Sequence, residues 1–494
     1  MDPLFEIELA LAEKGSRRLS QTLYRQLKAA ILDGRLSLGA KLPATRKSDA
    51  FFGVSRNTVV EVYEKLQHEG YVTTRHGSGT FVADTMAPAP VLPGSSTTNY
   101  TLNEFWLSPD MIAAMDFWQD RSQMLEPRSA AGLVDFRPNL IDSRLFPFET
   151  FRKATAKQLR GLEKKAARFK SAQGNQGNYF LREAVTRHIA LTRAVVCRPD
   201  DIVVTSGAQQ AFDLLARILI TPNKTVVAIE DPGYPPMRVA FVAAGAKLVP
   251  AAVDAEGLIV DRLPPDAGVI CVCPSHQFPL GVTMSPRRRK ALIEFARRRG
   301  AVIVEDDYDG EFRYDGSPLE ALRVSTNADV VFYVGTFSKC MLPALRLGFV
   351  VAPDWAMRTL VAAKNSLDWH CSTPLQMGVC EFIAGGHLAR HVRKMREIYR
   401  KRRQLLLTSL QEDFGRWLEP VPSFYGMHVA ATVCGQVDLE AVAHTLLRRN
   451  VKIHTLKRYY LGSPAINGLV FGYAAVDLPD IRRGLFALRQ ALLG

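Results

Sequence analysis

Residues 335–349 read GTFSKCMLPALRLGF. An apolar run, DVVFYV at 329–334, leads into this stretch, and Lys339 follows with hydroxyls at Thr336 and Ser338 and a guanidinium at Arg346. A short apolar run of this kind reads as a buried strand. In open α/β sheets, function collects beyond the strand C-termini. An amine placed there suits attack on a carbonyl, because burial and nearby positive charge both favour its neutral, nucleophilic form. The hydroxyls and Arg346 suit an anion held beside it.

Working outward, strand-like runs alternate with helical ones. DIVVTSG, TVVAIED, KLVPAAVD, GVICVCP, AVIVEDDYDG and VVFYVGTFSK interleave with QQAFDLLARIL and RRKALIEFARRRG. That alternation predicts an α/β domain with a mostly parallel sheet. Three more strand ends carry chemistry. In TSGAQQAF the backbone amides of Ala208 and Gln209 open a helix, and a helix N-terminus holds phosphate. In EDDYDGEF, Asp306 and Tyr308 leave a strand on one side, two residues apart. A carboxylate there can face a pyridine nitrogen and a phenol can bond a ring oxygen. Tyr234 in EDPGYPPMR can stack on a flat ring.

The N-terminal part follows a different pattern. Leu19, Leu23, Leu27, Ala30 and Ile31 fall at helical spacing, and Gly34 supplies a stop. After LPATR a second short helix is expected, ending near Gly53. Ser55 can cap a third helix from Arg56 to about Glu69. YVTTRHGSGTFVA then reads as a two-stranded wing. The prediction is a winged helix-turn-helix over residues 16–83. Ser55, Arg56, Asn57 and Thr58 at the start of the third helix are donors suited to base edges or phosphates, with Arg46 and Arg75 on flanking phosphates. Residues 84–130, rich in Pro, Ala, Ser and Thr at their start, are expected to be a linker, and 131–494 the large domain.

The whole chain has 494 residues and a net charge of +14, which suits a polyanionic partner. The first 84 residues carry only +2 of it, and the rest +12. RRRK at 287–290, RRR at 297–299 and RKRR at 400–403 therefore raise the expectation that the large domain also touches DNA. No apolar run is long enough to span a bilayer. The acidic start MDPLFEIELALAEKG lacks the basic region of a secretory signal, and seven cysteines show no metal-ligand spacing. A cytoplasmic protein with reduced thiols and no metal site is expected.

LPATR and GVSRNTVVEVYEKLQHEGYVTTRHGSGTFV resemble the GntR-type winged helix. TSGAQQAFDLLAR, EDPGYPPMR, PSHQFPLGVTMS, EDDYDGEFRYDG and GTFSKCMLPALRLGFV, in that order, resemble fold-type I aminotransferases. Together they resemble the MocR/GabR regulators along nearly the whole chain. The resemblance implies pyridoxal 5′-phosphate (PLP) held as an internal aldimine on Lys339. Asp306 would then pair with the pyridine nitrogen and Tyr308 with the phenolic oxygen. Thr336, Ser338, Arg346, Ala208 and Gln209 would hold the phosphate, and Tyr234 would line the ring.

It further implies a head-to-tail homodimer on double-stranded DNA, and an effector that is PLP itself or an amino compound. A working aminotransferase with a DNA-binding head is the alternative function. A cofactor-free dimerisation scaffold is a third. The chain departs from the families at four places. QFPLG stands where NPTG is usual, with Phe278 or Gln277 in place of an asparagine. Ala172 replaces a tyrosine that reaches the partner's phosphate. Ser48-Asp49 replaces a small apolar pair, for which Phe51 and Phe52 could compensate. The carboxylate-binding arginine has two candidates, Arg458 and Arg238.

Overall fold

The computed structural model describes residues 19–47, 51–83, 132–163, 174–314, 320–324, 329–462 and 464–493, with Trp106 and Met111. The chain divides into two compact units between residues 101 and 102. No described helix is long and apolar enough to cross a membrane. All seven cysteines are free thiols.

In the first unit, the Leu19–Leu32 helix buries Leu23, Leu27, Ala30 and Ile31, one stripe of a helical period. The Arg56–His68 helix turns Val59, Val62, Tyr63 and Leu66 towards it. β1 (Val72–Arg75) and β2 (Gly79–Val82) form the antiparallel wing, with Thr73 opposite Phe81. Val72 and Val82 close the core that both helices share. Phe52 is buried in that core, whereas Phe51 is 43% exposed, so only one of the two phenylalanines fills it. Ser48-Asp49 lie outside the described residues.

In the second unit, β3 (Val134–Asp135) opens the described chain. The central sheet then takes β4 (Ile202–Thr205), β5 (Val226–Asp231), β6 (Lys247–Asp254), β7 (Gly257–Leu258), β8 (Ala267–Val272), β9 (Val302–Asp307), β10 (Val331–Thr336) and β11 (Gly348–Val351). Their order is β4-β11-β10-β9-β8-β5-β6-β7. Only β11 and β7 run against the others. β10 is buried at all six positions, as a strand covered on both faces must be. Because β10, β9, β8 and β5 are neighbours and parallel, their C-terminal loops emerge side by side along one edge.

The sequence pattern did not predict a second sheet. β12 (Leu418–Pro420), β13 (His428–Val433), β15 (His454–Thr455) and β16 (Gly468–Gly472) form it, antiparallel, in the order β12-β13-β16-β15. β14 (Val451–Lys452) pairs instead with β3. The His387–Asp413 helix lays Leu406 and Leu410 into the core of this sheet, and Phe414, just beyond its end, joins them. Of the predicted linker only Trp106, half exposed, and Met111, fully buried, are described.

Candidate functional site

The aligned strand ends enclose a cavity of about 220 Å³. All nine residues assigned to a cofactor from the sequence line it: Ala208, Gln209, Tyr234, Asp306, Tyr308, Thr336, Ser338, Lys339 and Arg346. Asn139, Phe278 and Pro343 complete the wall. Lys339 sits three residues beyond the end of β10, and its Nζ donates to the Asn139 carbonyl at 2.6 Å. Burial pushes its pKa down to about 8, and Arg346 adds to that. Asp309 and Asp306 pull the other way.

Asp306, near the end of β9, is 3% exposed. Its Oδ2 accepts a weak bond from the Cys273 thiol at 3.9 Å, and its Oδ1 has no donor among the described residues. Burial, reinforced by Asp307 and Asp309, pushes its carboxyl well above the usual range. A buried acceptor without a donor is costly, so this oxygen is built for a partner that the protein itself does not supply. The Tyr308 hydroxyl donates to the His276 carbonyl at 3.0 Å and lies 2.9 Å from His276 Nδ1. That nitrogen is 3.0 Å from Asp309 Oδ2. A carboxylate there favours the proton on Nδ1. His276 Nε2 is left buried without a partner. The His428 ring packs 4.6 Å from it, and its Nε2 lies 3.0 Å from the Pro279 carbonyl. His276, Asp309 and His428 together bring ligand-type atoms within 4.8 Å of one another, a cluster that no sequence spacing announced.

The opposite end of the cavity is an anion cup. Gly207 precedes the Ala208–Leu219 helix with φ +82, and a Cβ there would lie 2.9 Å from Arg346 Nη2. Glycine therefore lets the guanidinium close over the helix N-terminus. Arg346 Nη2 also donates to the Ser206 carbonyl at 3.2 Å. Thr336 Oγ1 and Ser338 Oγ are 3.0 Å apart. Amides, hydroxyls and a guanidinium converging on one point suit a phosphate. The Gln209 side chain is turned away to the Pro236 carbonyl at 3.0 Å, which leaves its backbone amide as the useful group.

The choice between Phe278 and Gln277 is resolved by geometry. Phe278 lines the cavity, edge-on to Tyr234 at 5.4 Å. Gln277 instead binds backbone, donating 2.7 Å bonds to the carbonyls of Pro232 and Phe278.

Residues 139–482 match the model of aminotransferase class I and II, and residues 19–82 that of bacterial regulatory proteins of the gntR family. The probable rhizopine catabolism regulatory protein MocR of Rhizobium meliloti is 32% identical over 476 residues, covering 96% of this chain and 94% of its own. The pyridoxine biosynthesis transcriptional regulator PdxR of Corynebacterium glutamicum is 29% identical, covering 99% of both chains. Among solved structures, kynurenine aminotransferase of Pyrococcus horikoshii is 26% identical with a TM-score of 0.69, over 76% of this chain and 94% of its own. The chain belongs to the MocR/GabR-type regulators.

In this regulator neither effector candidate lines the cavity. Arg238 is buried and binds Asp231 Oδ1 at 3.2 Å and the Tyr459 carbonyl. Its guanidinium ties the end of β5 to the 459 backbone rather than facing a ligand. Arg458 lines a different cavity, with Arg137, His444 and His454. Both arginines therefore stand apart from the Lys339 cavity. Ala172 lies outside the described residues.

In the head, Arg56 and Asn57 stand exposed at the start of their helix, and Arg46 and Arg75 are exposed nearby. Ser55 caps the helix, accepting from the Thr58 amide at 3.3 Å, and its Oγ lies 2.9 Å from Thr58 Oγ1. Those two hydroxyls are thus partly engaged within the protein. The Arg75 guanidinium lies 5.0 Å from the Phe81 ring centre, on the wing.

Proposed function

We propose that this regulator binds PLP covalently at Lys339 and converts its occupancy into operator binding by the winged helix. The observation that carries the reading is Asp306 Oδ1. It is a buried acceptor without a donor, in a cavity that also holds a lysine of lowered pKa and an anion cup. The residues fit the cofactor. When bound, PLP supplies an aldehyde that takes an amine and a pyridinium that withdraws electrons. Lys339 provides the neutral amine. Asp306 accepts from the ring nitrogen and keeps its proton in place. Tyr308 would offer its hydroxyl to the ring oxygen. Gly207, Ala208, Thr336, Ser338 and Arg346 hold the phosphate, while Tyr234 and Phe278 keep the ring dry.

Among the described residues, Arg346 is the one guanidinium lining this cavity, and it belongs to the phosphate end. That favours PLP itself as the signal over an amino acid, whose carboxylate would want a second cation. The chain would act as a homodimer presenting two heads to two half-sites. The ligand must then bind one DNA-competent state better than another. The test is borohydride reduction of the PLP-loaded protein followed by peptide mass spectrometry, with operator affinity measured beside it. A reduced adduct at Lys339 and an operator affinity that changes with PLP are expected. Label on another lysine, or operator affinity indifferent to PLP, contradicts the proposal. Steady turnover of amino donors with keto acids would support the aminotransferase reading instead.

A further inference from the structure

A second cavity, of about 610 Å³, opens between the Tyr179–Arg193 helix, residues 310–314 and the His387–Asp413 helix. Five arginines line it, Arg193, Arg313, Arg393, Arg396 and Arg400, against a single carboxylate, Glu311. Part of this charge is compensated. Arg193 pairs with Asp307 at 2.5 Å. Arg400 pairs with Glu397 at 2.9 Å, a half-exposed contact that neutralises little. Glu311 faces His188 at 3.4 Å.

Among the described residues, neither Arg393 nor Arg396 pairs with an acidic group. Arg313 lies 4.6 Å from the Tyr425 ring centre and bonds its hydroxyl, a neutral partner. Arg396 donates Nη2 to the Glu311 carbonyl at 2.7 Å, while its Nε is shielded from solvent and bonds nothing. Arg393 is exposed and makes no hydrogen bond or ion pair with the described residues. Guanidiniums gathered in a concave space repel one another and focus positive potential into it.

We infer that this cavity is a second ligand site, for a small anion carrying a phosphate or paired carboxylates. Guanidiniums bind both groups through two parallel hydrogen bonds. DNA fits less well, because a duplex is convex and its phosphates meet protruding cations, whereas these arginines line a concavity. The site adjoins the first cavity without sharing its lining. Arg193 also bonds Ser275, next to His276, and its partner Asp307 follows Asp306.

The inference goes beyond the proposed function and does not depend on it. Titration calorimetry of the full-length chain, at ionic strength held constant with chloride, tests it with inorganic phosphate and with citrate as separate arms. Phosphate can also enter the anion cup of the first cavity, so Arg346→Gln and Arg393→Gln are compared. Arg393 is exposed and unbonded, so its replacement leaves the fold intact. Saturable binding of either anion that survives Arg346→Gln and weakens tenfold or more in Arg393→Gln is the expected result. The phosphate and citrate arms show which of the two groups the site takes. Absence of saturable heat with both anions overturns the inference, as does binding lost in Arg346→Gln and retained in Arg393→Gln. A loss of operator affinity in Arg393→Gln without anion binding to the wild type would assign the arginines to DNA and also overturn it.

Discussion

Lys339 should titrate near pH 8 rather than at the ordinary 10.5. At pH 7 about one amine in eleven is then neutral, against about one in 3,000 for an ordinary lysine, roughly a 300-fold gain in nucleophile. The perturbation is pH itself, applied to the apo-protein during rapid mixing with excess PLP. The initial rate of colour formation should rise about tenfold per pH step up to 8 and level off above it. Dividing by the rate of a simple amine in the same buffers, corrected for that amine's own protonation, removes the titration of PLP. Asp309 is the strongest group holding the proton on Lys339, so Asp309→Asn should move the midpoint below 8. Arg346 pushes the other way, and Arg346→Gln should raise it.

The same shift appears in stability. Between about pH 8 and 10.5 the folded chain binds fewer protons at Lys339 than the unfolded chain, so apo-protein stability rises with pH across that window. Lys339→Met keeps the length without the charge and should flatten that rise. A rate midpoint near 10.5, or an Asp309→Asn shift in the upward direction, would refute the reasoning. Lys339 would then be a solvated amine.

Gly207→Ala should weaken PLP affinity about tenfold or more while leaving the circular dichroism spectrum unchanged, since the new methyl displaces Arg346 from the anion cup. Phe278→Ala removes a ring packed against Tyr234, Tyr308, His428 and Tyr459, and should cost about 3–5 kcal/mol in chemical unfolding. Arg56→Ala should cost about 1–3 kcal/mol of operator affinity at fixed salt with PLP loading intact. Unchanged operator affinity would remove this helix as the reader.

The parallel sheet was legible because its strands are short apolar runs buried on both faces, which local composition reveals. The Lys339 cavity was legible because position at a strand end decides function in such sheets, and residue type decides chemistry. His276 and Asp309 were not. They are 33 residues apart and meet only because β8 and β9 are neighbours, which is a fact of topology. Asn139 was hidden for a similar reason, since it contributes a carbonyl and any residue has one. The surroundings of Arg238 were hidden because an arginine looks the same in sequence whether it faces a ligand or, as here, the Tyr459 carbonyl. The antiparallel sheet escaped because β15 has two residues and β12 three, too few to show alternation.

The basic runs show how charge count and charge placement part company. Arg287 pairs with Glu256, Arg288 with Asp254 and Arg297 with Asp329. Arg289 donates to the carbonyls of Met284, Glu320 and Pro274. In the third run Arg402 is buried against Asp142 and the Ala474 carbonyl, and Arg403 against the Ser423 carbonyl. A guanidinium already bonded within the fold cannot release counterions from DNA phosphate without first breaking that bond. Those arginines are thus engaged within the fold, whereas Arg298, Arg299 and Lys401 of the same runs stand exposed. Arg46, Arg56 and Arg75 do stand exposed on the head. Operator affinity should accordingly lose its salt dependence stepwise as those three are replaced. Neutralising Arg402 or Arg403 should instead lower stability, because each substitution leaves a buried carbonyl without its donor.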